Sequence, residues 1–156
     1  MMRSLATLIV LLCWPVIAPC AAALGINTAI VDDSATVVAN PNIAMAWRRA
    51  SPKQGDSAIV GRTRVNVRLN TMPWIGKTAK IYMVLAPDSL ASVEVNWRSH
   101  GTLLDGELRA GMRTLVYSGI IRAARLEDVL DVSLVADGIK ATRAQRLRFH
   151  FEIDFN

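Results

Sequence analysis

Arg146-Leu147-Arg148-Phe149-His150-Phe151-Glu152-Ile153-Asp154-Phe155 is the stretch that decides the fold class of this chain. Leu147, Phe149, Phe151, Ile153 and Phe155 take the odd positions, and Arg146, Arg148, His150, Glu152 and Asp154 the even ones. An extended strand sends successive side chains to opposite faces, so this segment has one apolar face and one charged face. Burying the apolar row contributes about 2 kcal/mol per side chain, on the order of 10 kcal/mol before entropy is subtracted. At about 3.3 Å per residue the stretch extends about 33 Å, more than a typical strand. A strand of that length pairs centrally, bends, or projects far enough for another chain to pair with it.

The same alternation recurs upstream. Val65, Val67 and Leu69 oppose Arg64, Asn66 and Arg68; Ile81, Met83 and Leu85 form an inward row; Val93, Val95 and Trp97 alternate with Glu94, Asn96 and Arg98. Shorter strands are predicted over Thr36–Ala39, Ile43–Trp47 and Thr102–Leu104, and longer ones over Thr114–Ile121 (weakened by Gly119) and Leu126–Leu134. Turn chemistry separates them at 51–56, Met72-Pro73-Trp74-Ile75-Gly76, Pro87-Asp88-Ser89 and Asp137-Gly138. Helical periodicity is weak throughout, with Ile120–Val129 the best candidate and equally readable as a loop. The pattern predicts an all-β chain, an antiparallel β-sandwich of immunoglobulin-like type. An outer-membrane barrel needs more strands of about ten residues and fuller aromatic girdles than this chain supplies.

Residues 1–23 read as a cleaved secretory signal peptide: Arg3 opens it, Leu5–Val16 is apolar, and Ala21-Ala22-Ala23 offers a cleavage site. The apolar run falls short of the about 20 residues that span a bilayer. Lipidation at Cys20 would require processing directly after Pro19, a poor fit. Cleavage removes Cys13 and Cys20, the only two cysteines, so the mature chain has no disulfide and no thiolate. Removing 23 residues from 156 leaves 133, enough for one domain, with 24–42 an extended segment that serves as donor or edge strand and 43–156 the sandwich. The expected location is the periplasm or the cell exterior. Loss of Arg3 takes the net charge from +5 to +4, and the basic residues are dispersed, which argues against a nucleic-acid surface.

No catalytic signature stands out, and the chain is read as a non-enzyme without cofactor or metal. His100 follows Ser99, but neighbours on a strand point apart, so they pair only if a turn folds them together. Glu127, Asp128 and Asp131 form the densest carboxylate cluster, read as solvated charge, and His150 falls on the wet face of the last strand. Trp74, in its turn, is a candidate anchor for a protein or a sugar ring unless it folds back over the core. Together with Val37, Phe149, Phe151 and Phe155 it makes up the expected partner-binding set.

Thr36-Val37-Val38-Ala39-Asn40-Pro41-Asn42-Ile43, Val93-Glu94-Val95-Asn96-Trp97 and Tyr117-Ser118-Gly119 resemble chaperone–usher pilins of the cysteine-free colonisation-factor branch. The Tyr-x-Gly element of such pilins lies just before the final strand, whereas here two strands follow it, and Asp32 and Asp33 interrupt the donor-like segment. The resemblance implies a fimbrial subunit or pilus accessory protein in cell adhesion. Its partner would be a chaperone or sister subunit, bound by strand pairing. The alternatives are a self-contained module binding a protein or glycan through its loops, and a small hydrolase.

Overall fold

A computed structural model describes residues 26–48, 57–85, 93–138 and 148–156. The expected signal peptide, the loop at 51–56, the break at 87–89, the link at 140–145, and Arg146 and Leu147 of the last strand lie outside the described residues. Ten strands are seen among those described: β1 (Asn27–Val31), β2 (Val37–Val38), β3 (Ala46–Trp47), β4 (Ala58–Asn70), β5 (Thr78–Leu85), β6 (Val93–Ser99), β7 (Gly106–Arg109), β8 (Arg113–Ile120), β9 (Arg125–Asp137) and β10 (Phe149–Phe155). A single 3-10 turn, Met72–Trp74, joins β4 to β5. Ile120–Val129 is not helical: its second half, from Arg125, belongs to β9. The short strand expected over Thr102–Leu104 forms later, as β7.

Two antiparallel sheets face each other. Sheet A runs β1-β10-β5-β8; sheet B runs β2-β4-β9-β6-β7, with β3 also on β4. The antiparallel sandwich is therefore as the sequence predicts, but its connectivity is not immunoglobulin-like. Among the strands of four or more residues, the first pairs with the last (β1·β10), the second with the seventh (β4·β9), the third with the sixth (β5·β8) and the fourth with the fifth (β6·β7). That long hairpin is rolled up so that β10 also meets β5 and β9 meets β6. This is a jelly roll. In an immunoglobulin sandwich the last two strands are neighbours in one sheet; here β9 and β10 lie in opposite sheets.

Side-chain alternation builds the core. Phe151 and Ile153 of β10 and Ile81 and Leu85 of β5 meet Val65, Leu69 and Leu130 of sheet B, and all are fully buried. The long β4·β9 ladder places Arg64 opposite Asp131 and Arg68 opposite Glu127, and both pairs are salt-bridged on the outer face. Exposed pairs contribute little energy each, but a slip of one residue would bury all of these charges, so they help fix the register. At β5·β8 the register shifts between Ile81 and Tyr82, which pair with Tyr117 and Leu115, leaving Val116 as an extra, buried residue. This bulge breaks the alternation of β8.

Candidate interaction site

The five predicted partner-binding residues do not converge on one surface. Trp74 is only 8% exposed. Its ring lies 6.0 Å from that of Phe155, and Lys77 Nζ sits 4.5 Å from the Phe155 centroid on β10. Pro73 inside the 3-10 turn and Gly76 at φ 81° just after it fold the indole back over the end of the core. Trp74 is thus a lid on the sandwich and is not displayed for stacking on a sugar. Phe151 is fully buried, with Phe149 packed edge-on against it at 5.8 Å. Val37 is 53% exposed, but it lies on β2 in the other sheet, paired with Asn66. Since β10 has β1 on one side and β5 on the other, the last strand has no edge to offer between Phe151 and Phe155. Strand addition there, expected from its length, is sterically closed.

The sheet edges themselves differ in how they are protected. At β7 the outward residues Glu107 and Arg109 are charged, and Arg109 is bridged to Glu94. The edge of β8 is tied down: Leu104 N–H donates to Val116 O at 2.7 Å and Thr114 Oγ1 to Glu107 O at 2.7 Å. Along β4, the two-residue strands β2 and β3 cover the edge in pieces on either side of Pro41. These are the usual devices against unwanted pairing. β1 has none of them. Asn27-Thr28-Ala29-Ile30-Val31 carries no charge, proline or glycine, and among the described residues its only strand partner is β10. Ala29 and Val31 face inward, whereas Ile30 is 73% exposed, as is Ile26 at 70% just before the strand. Sequence reasoning read 24–42 as an extended donor or edge segment but did not delimit this strand, because Ile30 faces solvent and spoils the apolar–polar alternation. The β-branched run itself was the available signal.

Beside β1, the outer face of sheet A is held by one arginine. Arg113 donates to Asp154 through both terminal nitrogens, at 2.6 and 3.0 Å, and through Nε to Glu152 at 2.8 Å, while its guanidinium stacks 3.7 Å over the Tyr82 ring. Thr28 Oγ1 of β1 donates to the same Asp154 at 2.7 Å, tying the edge strand into the network. The Arg113 hydrogen bonds hold the Asp154 carboxyl below the usual carboxylate range and push the Arg113 guanidinium up. Asp131 is likewise lowered, first by His100 and then by Arg64, and Asp32 by Ser34. Burial pushes Asp33 the other way. A carboxylate whose folded pKa is depressed stabilises the fold above its unfolded value and loses that contribution as pH falls through the folded value. With an ordinary value of 3.8, the expected result is a urea midpoint that is flat with respect to these groups above about pH 5 and drops below about pH 4. In Asp154→Asn the drop should be shallower; an equally steep one would mean that the Arg113 network carries no acid sensitivity.

Ser99, His100, Asp128 and Asp131 do come together, at the turn after β6, but not as a catalytic relay. Ser99 Oγ donates to Asp128 Oδ2 at 2.9 Å, and the Leu103 N–H donates to the same oxygen at 2.7 Å. His100 turns outward and its Nε2 meets Asp131 Oδ2 at 2.7 Å. Asp131 is exposed as expected of solvated charge, whereas Asp128 is only 7% exposed and organises the turn. Among the described residues no group of three or more His, Cys, Asp or Glu side chains is placed to hold a metal ion, and no helix is long and apolar enough to cross a membrane. Comparison with protein-family models, with curated proteins and with solved structures finds no match to this chain.

Proposed function

We propose that the protein is a secreted or periplasmic structural subunit that joins another chain by strand addition at the open edge of β1. The observation that carries this reading is the contrast among the sheet edges: three are charged, tied or covered, whereas among the described residues no second strand pairs with β1, an uncharged strand that presents the exposed Ile26 and Ile30. In strand addition the main-chain hydrogen bonds supply affinity and the alternating side chains supply specificity. Fimbrial or surface assembly, which the pilin-like motifs imply, is the setting in which such an edge is useful. The acceptor in this reading is β1, not the apolar row of β10. The donor-like residues Val37 and Val38 are paired with β4 of their own chain.

Ile30→Lys tests it. The side chain is exposed, so the fold should survive with a stability change within about 0.5 kcal/mol, but a charge now stands on the pairing edge. Material extracted from the envelope of the protein's own host should contain the wild type in assemblies heavier than a monomer, and the variant as a monomer. Equal assembly of both, or a wild type that is monomeric in the extract, would overturn the reading.

A further inference from the structure

The outer edge of β1, which has no second strand partner among the described residues, is self-complementary, and we infer that its occupant is the β1 strand of a second copy of this chain, antiparallel and centred on Thr28. This rests on the strand-addition reading above and specifies its partner. The outward row reads Ile26-Thr28-Ile30, which is palindromic about Thr28. Ile26 belongs to that row because it lines a depression on the outer face together with Lys80, Tyr82, Ser118 and Asp154.

In an antiparallel pair, opposed residues share a face, so only registers that match outward with outward preserve both sheets. Centring on Thr28 places Ile26 of each copy opposite Ile30 of the other and Thr28 opposite Thr28. Both exposed isoleucines of each copy are then covered, and cross-strand pairs of β-branched and Thr–Thr type are favourable. Centring on Ile30 instead places Asp32 opposite Thr28 and leaves Ile26 beyond the paired segment. Because no residue from Ile26 to Val31 is charged, the Thr28 register opposes no like charges. The two Asp32 side chains end up about eight residue steps, or about 26 Å, apart along the seam. Sheet A would continue through the two-fold axis from four strands into eight. A seam of this length buries less than a standard interface, so the dimer is weak and concentration-dependent.

The register gives a sharp test by cross-linking. Directly opposed residues have Cα atoms about 4.5–5.5 Å apart, within the range a disulfide needs. With Cys13 and Cys20 replaced by serine, Thr28→Cys should form a disulfide-linked dimer under mild oxidation. Ile30→Cys should not, because the two residues 30 lie about 13 Å apart or more. The purified wild type should pass from monomer toward dimer in light-scattering mass between about 5 µM and about 500 µM, and Ile30→Lys should stay monomeric. A wild type that is monomeric over the whole range, or Ile30→Cys cross-linking as readily as Thr28→Cys, would overturn the inference. If the purified protein is monomeric while Ile30→Lys still dissolves the assembly extracted from the envelope, the self-pairing fails and strand addition to a different chain stands.

Discussion

Phe151→Asp is expected to leave no folded protein under conditions where the wild type is fully native. The side chain is completely buried at the middle of β10, its backbone sits between Val31 of β1 and Met83 of β5, and Phe149 packs edge-on against it. Removing a buried phenylalanine ring costs about 3–5 kcal/mol. Placing a carboxylate in that apolar site adds several kcal/mol more, or forces its protonation. The sum reaches the about 5–15 kcal/mol of net stability available to a domain, and the sequence from Ile26 to Asn156 contains no cysteine to staple it. Far-ultraviolet circular dichroism and tryptophan emission at 25 °C, where Trp74 and Trp97 report core packing, should both show the unfolded state. Phe155→Ala is the control: the ring is partly exposed against Trp74 and Lys77, so a folded protein with a lowered urea midpoint is expected. A folded, monomeric Phe151→Asp variant would mean that β10 does not hold the sandwich together.

The strength of that expectation reflects what was legible in the residues. Strands whose two faces meet core and water announce themselves by period-two alternation, and β10, β5, β6 and the second half of β4 do so. Strand order is another matter. Alternation says which face of a strand is buried but not which neighbour it takes, so the immunoglobulin and jelly-roll orders share one pattern, and the pairings of β10 with β1 and β5 and of β9 with β4 and β6 separate them. Bulges hide strands as well: the extra Val116 flips the phase of β8 halfway along it. The candidate site was the least legible part. An aromatic in a Pro-Gly turn is equally readable as displayed or as folded back over the core, and only the packing of Trp74 on Phe155 decides between them. An edge strand, with one apolar row turned to solvent, reads as an extended donor or edge segment without definite bounds until its partner is known. The feature that marks β1 is a lack of protection relative to the other edges, and that comparison exists only once the sheets are assembled.

The same reasoning makes Asp128 the second position of large effect, and there it also bears on the hydrolase alternative. The Asp128→Ala change removes a carboxylate that accepts from Ser99 Oγ and Leu103 N–H through Oδ2, and from the adjacent Val129 N–H through Oδ1 at 2.6 Å. It is also packed against Gly101 so closely that a Cβ there would lie 2.8 Å from the carboxylate. The Leu103 amide is buried and would be left without its acceptor, at a cost of about 1–3 kcal/mol, and hydrogen bonds to a charged acceptor contribute about 1.5–3 kcal/mol. A net loss of about 3 kcal/mol is expected, read as a fall in the urea midpoint of about 1–3 M. Asp128→Asn should be nearly as damaging, because both carboxylate oxygens accept and an amide supplies only one acceptor. Ser99→Ala should cost less than either, since the Leu103 and Val129 amides keep their acceptor. A carboxylate retained for chemistry gives the opposite pattern: its removal leaves stability unchanged or raised, because functional groups are commonly held at the expense of the fold. If Asp128→Asn leaves the urea midpoint in place or moves it upward, the turn does not depend on this carboxylate, and the Ser99–Asp128 pair becomes the first place to look for a reaction.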